Sequence, residues 1–180
     1  MLRVRLFIAV PVSEMVRSSA FRIMRELRGL GVEGKWTEPG NLHLTLRFLG
    51  STSEDDIPGL EALMLRAAQR PDFDIEFQGL GVFDSWDSPR VLWVGVGRGA
   101  GELKALAEAL GPDPGGRPFS AHLTLGRMRV TRDSGILERA AQSLEFAAIA
   151  QRVGGLVLYE SRPGPGGSVY VARKPQPFWR

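Results

Sequence analysis

The only two histidines of the chain open identical tetrapeptides, His43-Leu44-Thr45-Leu46 and His122-Leu123-Thr124-Leu125. At the chain's own Leu and Thr frequencies, Leu-Thr-Leu follows a given His by chance on the order of once in a few thousand trials, so a duplicated unit explains it better. Residues two apart on a strand share a face. Each copy therefore presents one imidazole and one hydroxyl on one face, with leucines on the other. A chain built this way is constrained to two matched units, each turning a Leu face to a core and a His face to a cleft.

Hydrophobic periodicity supplies the rest of each unit. Val4, Leu6, Ile8 and Val10 alternate and predict a strand over 3–10. Ser13 can cap a helix whose stripe is Val16, Ala20, Met24 and Leu27, ended by Gly29 and Gly31. The first motif strand spans 42–49. Acidic Glu54, Asp55 and Asp56 suit the start of a second helix, striped by Leu60, Leu63, Met64 and Ala67 and stopped by Pro71, with Pro58 near its start. Phe73, Ile75 and Phe77 alternate as a strand.

The second unit repeats the order. It reads as a strand over 90–96, a helix on Leu103, Leu106, Ala107 and Leu110, a Pro/Gly loop, and the motif strand over 121–127. A fourth helix on Leu137, Ala140, Ala141 and Leu144 and a final hairpin around Pro163-Gly164-Pro165-Gly166-Gly167 complete it. The prediction is an α+β, bilobal fold over 1–180: two pseudo-twofold related lobes of antiparallel sheet plus helices with a central cleft. The duplicated units run roughly 1–80 and 88–175.

Composition narrows the function classes. With no cysteine, disulfides and thiolate metal sites are excluded and a reducing, cytoplasmic setting is expected. The apolar run Leu6–Val10 is too short for a signal-peptide core or a membrane span. The formal charge is +3, carried by 20 Arg against 3 Lys. Arginine suits phosphate oxygens, although a base-composition bias in the source genome accounts for most of that excess. Two histidines without a tight carboxylate cluster do not make a metal site. Phosphate-loop, dinucleotide and serine-elbow motifs are absent. Trp36, Trp86, Trp93 and Phe119 read mainly as core.

An unperturbed histidine titrates near ~6.5, so a facing pair can hold one neutral and one charged ring near neutral pH. That suits in-line displacement at phosphorus, where one ring takes a proton from the attacking oxygen and the other gives one to the leaving oxygen. Thr45 and Thr124 can hold non-bridging oxygens. By strict alternation Arg47 shares the face of His43 and Thr45 and can add charge there. The same alternation puts Arg127 on the face opposite His122, with Gly126 on the histidine face, unless a bulge re-aims it.

At these residues the chain resembles the two-histidine phosphoesterase superfamily, and within it the RNA 2′,3′-cyclic phosphodiesterases, also called 2′-5′ RNA ligases. The resemblance rests on Asn41 through Gly50, on Arg5 through Val10, on Trp36 and on Phe119 through Arg127, with Ser161 and Tyr170 suiting the terminal hairpin. One departure is Ala121, where the family usually has Pro. The resemblance implies a metal- and cofactor-independent enzyme that opens terminal 2′,3′-cyclic phosphates of RNA, tRNA halves among them, to 2′-phosphates. It implies His43 as proton donor and His122 as acceptor; the near-symmetric repeats do not order the roles themselves. A monomer is expected. Other readings stay open at this point. They are 2′-5′ joining of tRNA halves or small cyclic-nucleotide hydrolysis as the main task, and a non-catalytic nucleotide- or RNA-binding module.

Overall fold

A computed structural model describes residues 2–129 and 135–179. Its strands are β1 (Arg3–Pro11), β2 (Gly34–Trp36), β3 (His43–Ser53), β4 (Phe73–Ser85), β5 (Ser88–Val96), β6 (His122–Met128), β7 (Ile149–Val153), β8 (Gly155–Gly164) and β9 (Gly167–Pro177). Its helices are α1 (Glu14–Gly29), α2 (Ile57–Ala67), α3 (Ala100–Leu110) and α4 (Gly135–Ser143). Ser13 caps α1 as its sequence position predicts: its Oγ accepts the Val16 N–H at 3.3 Å. Pro58 falls in the first turn of α2, where a missing N–H costs nothing, and residues 54–56 form a 3₁₀ turn ahead of it.

The strands form two antiparallel sheets, ordered β3-β1-β8-β9 and β2-β6-β5-β4-β7. The mixed α+β architecture is as predicted, but the sheets do not divide the chain into contiguous halves. The strand that closes each unit crosses to the other unit's sheet: β4 pairs with β5, and β8 pairs with β1. Short β2 also crosses, joining the edge of β6. This exchange ties the lobes together more firmly than a simple tandem repeat would.

One cluster of buried apolar side chains runs through both sheets and their helices. The motif leucines are in it: Leu44, Leu123 and Leu125 are fully buried, and Leu42 and Leu46 nearly so. Burying one face of each motif strand fixes its register, because a one-residue slip would send the leucines to the cleft.

Two side-chain amides fasten the framework. Gln151 on β7 accepts the Ser13 N–H (2.7 Å) and donates to the Pro11 carbonyl (2.9 Å). Asn41, the only asparagine of the chain, donates to the Ser168 carbonyl (2.7 Å) and accepts the Tyr170 N–H (3.3 Å), pinning the β8–β9 hairpin beside the start of β3. Among the described residues no helix is long and apolar enough to cross a membrane.

Candidate active site

Both motif strands carry a bulge at the same place, the fourth residue of the motif. On β3, Pro11 pairs with His43 and Ala9 with Thr45, but then Ile8 pairs with Arg47 and Phe7 with Phe48, leaving Leu46 extra. On β6, Gly95 pairs with His122 and Trp93 with Thr124, but then Leu92 pairs with Gly126 and Val91 with Arg127, leaving Leu125 extra. The Leu125 carbonyl accepts the Thr37 N–H at 2.8 Å, which holds the β6 bulge from the edge. A bulge switches the face of every residue after it.

This overturns the alternation expected for both arginines. Directly paired residues share a face, so Arg127 lies with His122 and Thr124, opposite Val91, and is exposed. Arg47 lies with Ile8 on the far side of β3. There its guanidinium donates to the Pro112 carbonyl (3.0 Å) and the Leu110 carbonyl, satisfying the end of α3. Phe48 takes the place on the histidine face that strict alternation gives to Arg47, and its ring is 54% exposed. Sequence reasoning missed Phe48. The available signal was the match between Arg47 and Gly126 in the two copies, since a strand glycine often marks a bulge.

The two imidazoles are oriented alike. His43 Nδ1 is 2.6 Å from the Asn41 carbonyl, and His122 Nδ1 is 2.7 Å from the Ser120 carbonyl. A carbonyl only accepts, so Nδ1 carries a proton in both rings and Nε2 is the atom free to exchange one. His43 Nε2 meets the Thr45 hydroxyl at 2.9 Å. His122 Nε2 has no protein partner among the described residues.

Surroundings differ more than orientation. His43 sits 4.7 Å from the Phe7 ring and edge-on to Tyr170 at 5.1 Å, with Tyr159 behind at 6.3 Å. His122 meets Phe83 edge-on at 4.7 Å. Burial holds the His43 imidazole below its ordinary pKa; the Asn41 carbonyl works against this, and charge on His122 adds to it. Burial likewise lowers His122, opposed by the Ser120 carbonyl. Charge on one ring thus registers on the other, and β3 touches β6 across the two sheets. Thr45 and Thr124 each share a strand face with their own histidine. No three His, Asp or Glu side chains gather among the described residues as a metal-ligand set would.

Two antiparallel sheets that exchange strands each carry an imidazole and a hydroxyl on one strand face, and the charge of one imidazole registers on the other. In comparison with known proteins, a family model described as LigT like Phosphoesterase matches residues 10–93. The chain is 39% identical over 132 residues to the RNA 2′,3′-cyclic phosphodiesterase of Archaeoglobus fulgidus, covering 69% of this chain and 73% of that one. It is 33% identical over 173 residues to the protein of the same name from Thermotoga maritima, covering 92% and 91%. The crystal structure of TT0787 of Thermus thermophilus matches with a TM-score of 0.80 at 28% identity, covering 97% of both chains. The chain belongs to the LigT-like phosphoesterase family.

Proposed function

We propose that this protein hydrolyses 2′,3′-cyclic phosphate ends of RNA to 2′-phosphomonoesters, without a metal ion or cofactor. The carrying observation is the pair of imidazoles, each fixed at Nδ1 by the carbonyl two residues upstream, each offering Nε2, and coupled through their charges. The names of the Archaeoglobus and Thermotoga relatives support the substrate class.

In the proposed step, neutral His122 takes a proton from water at Nε2 as the water oxygen attacks phosphorus. The P–O3′ bond breaks, and His43 gives its Nε2 proton to the departing 3′ oxygen. The products are a 2′-phosphomonoester and a free 3′-hydroxyl, and the proton returns from His122 to His43 through solvent. Each transfer is typically worth roughly 100- to 10,000-fold. Burial works against a cation on His43 in the free protein, so its charging as the donor relies on the bound phosphate anion. Thr45, Thr124 and Arg127 meet the charge that builds on the phosphoryl oxygens. Phe48 offers a flat, exposed face on which the terminal base stacks.

The test is an RNA ending in a 2′,3′-cyclic phosphate, incubated with the protein and EDTA. Release of a 2′-phosphate end is expected. No turnover rejects the reading; turnover that stops with chelator rejects the metal-free mechanism, and a 3′-phosphate product rejects the placement of the leaving oxygen.

A further inference from the structure

Both motif histidines are held at Nδ1 by the residue two places upstream, but those two residues differ. Before His43 it is Asn41, and before His122 it is Ser120. The Ser120 side chain is exposed and has no hydrogen-bond partner among the described residues. Asn41 is committed at both ends. Its main-chain carbonyl accepts from His43 Nδ1 at 2.6 Å. Its side-chain amide donates to the Ser168 carbonyl at 2.7 Å and accepts the Tyr170 N–H at 3.3 Å.

A carboxamide carries a donor and an acceptor in one plane, as a peptide unit does. Asn41 therefore meets β9 as one peptide of an added strand would. Its two bonds fix the backbone at Tyr170, whose ring stands edge-on to His43, with centroids 5.1 Å apart and planes at 85°. Phe7 lies 4.7 Å from the imidazole and 4.8 Å from Tyr170. One residue thus governs two of the contacts that define the His43 ring, the carbonyl at Nδ1 and the Tyr170 edge. The backbone that carries Asn41 is a three-residue 3₁₀ turn, Pro39–Asn41, a weak frame by itself. Arg17 binds the Pro39 carbonyl of that turn at 2.7 Å, and the Asn41 amide secures its last residue.

We propose that the Asn41 carboxamide is a positioning group for His43: by clamping β9 it fixes the peptide that holds Nδ1 and seats Tyr170 against the ring, which sets the direction of Nε2. Its effect on rate rests on the hydrolase reading; its hold on the ring does not. Misplacing a reacting group by about 1 Å can cost on the order of 100-fold in rate, so the amide acts on turnover through the imidazole. His122 has no such clamp, because the Ser120 hydroxyl at the matching place binds nothing among the described residues. The effect is therefore confined to the first histidine.

The deciding variants are Asn41→Ala and the near-isosteric Asn41→Asp, which keeps the shape and the acceptor but loses the donor to Ser168. Two readouts are taken: kcat and KM on an RNA ending in a 2′,3′-cyclic phosphate, and the Nδ1 proton resonances of both histidines by NMR. Both variants should lower kcat about tenfold to a hundredfold while KM stays within about twofold. Both should shift or broaden the His43 Nδ1 proton and leave that of His122 in place. Arg47→Ala, which loses bonds away from the ring, should move neither readout. A variant that melts earlier yet keeps kcat and the His43 resonance makes Asn41 a structural latch only and overturns the positioning role, as does a change in one readout without the other. If Asn41→Ala loses both histidine resonances it has unfolded, and Asn41→Asp alone decides. If the unaltered protein turns over no cyclic phosphate, the hydrolase reading fails and the resonances alone decide the positioning role.

Discussion

The two copies of the motif share a backbone and differ in company. Both have the same bulge after the threonine and the same bond from Nδ1 to the carbonyl two residues upstream. Beyond the bulge the first copy places Arg47 at the end of α3 and Phe48 on the histidine face, whereas the second buries Gly126 and places Arg127 on the histidine face. The first histidine stands among Phe7, Tyr159 and Tyr170; the second has Phe83 alone at ring-contact distance among the described residues. In the proposed reaction the matched motifs supply the pair of proton carriers, and the differences around them give the site a polarity. One wall is aromatic and suits a base; the other is cationic and suits phosphate.

The sharpest way to break that comparison is through the histidines themselves. His43→Ala and His122→Ala should each lower kcat by roughly 100- to 10,000-fold. Their pH profiles should differ in kind. Losing the acceptor, His122, removes the acid-side fall in rate, and losing the donor, His43, removes the alkaline fall. If both variants lose the same limb, the two copies play one role and the polarity is wrong. The threonines sharpen the same contrast at about tenfold to a hundredfold, below the cost of a buried oxyanion donor. Thr45 already bonds His43 Nε2, so Thr45→Val should act mainly on kcat. Thr124→Val should act mainly on KM, and a common split between kcat and KM for the two would contradict it.

The arginines separate by readout. Arg127→Ala should lower kcat by at least about tenfold and leave the melting temperature in place. Arg47→Ala should leave kcat in place and destabilise by about 1–2 kcal/mol, the scale of a charged hydrogen bond, or roughly 4 °C in a chain of this length. Calorimetry beside steady-state kinetics checks both, and an exchange of the two phenotypes would return Arg47 to the cleft.

Much of the fold was legible. Amphipathic periods located the four helices, and the leucines of each motif strand identified the buried face. What escaped has physical reasons. β2 is three residues long, too short for any period to show, and β7 joins the edge of a sheet built mainly from distant strands. The exchange of β4 and β8 between units leaves no local mark, because partner choice is a long-range property. The bulges at Leu46 and Leu125 matter most for the site. Alternation is a sound rule until one residue is inserted, and then it assigns the side chains that follow to the wrong face until a second insertion, as at Leu49 of β3, restores it. So His43, Thr45, His122 and Thr124, all ahead of the bulge, were placed together by sequence, while Arg47 and Arg127, just past it, were reversed.

The smallest expected effect concerns which ring holds the proton. An unfolded histidine titrates near ~6.5, and both folded rings lie below their ordinary value. The folded state therefore binds fewer protons than the unfolded state in that window. Stability is full above about 6.5 and declines as pH falls toward the folded values, which melting curves between pH 8 and pH 5 would register. The coupling is reciprocal, so a proton on either ring disfavours a second proton on the other. Catalysis as proposed needs that single proton on His43. A phosphate anion bound beside the rings, together with the π face of Phe7, favours the cation there. Imidazole resonances followed by NMR should show His43 holding the proton once adenosine 2′-phosphate is bound. Retention of the proton on His122 in that complex would exchange the donor and acceptor, while leaving the two-histidine chemistry intact.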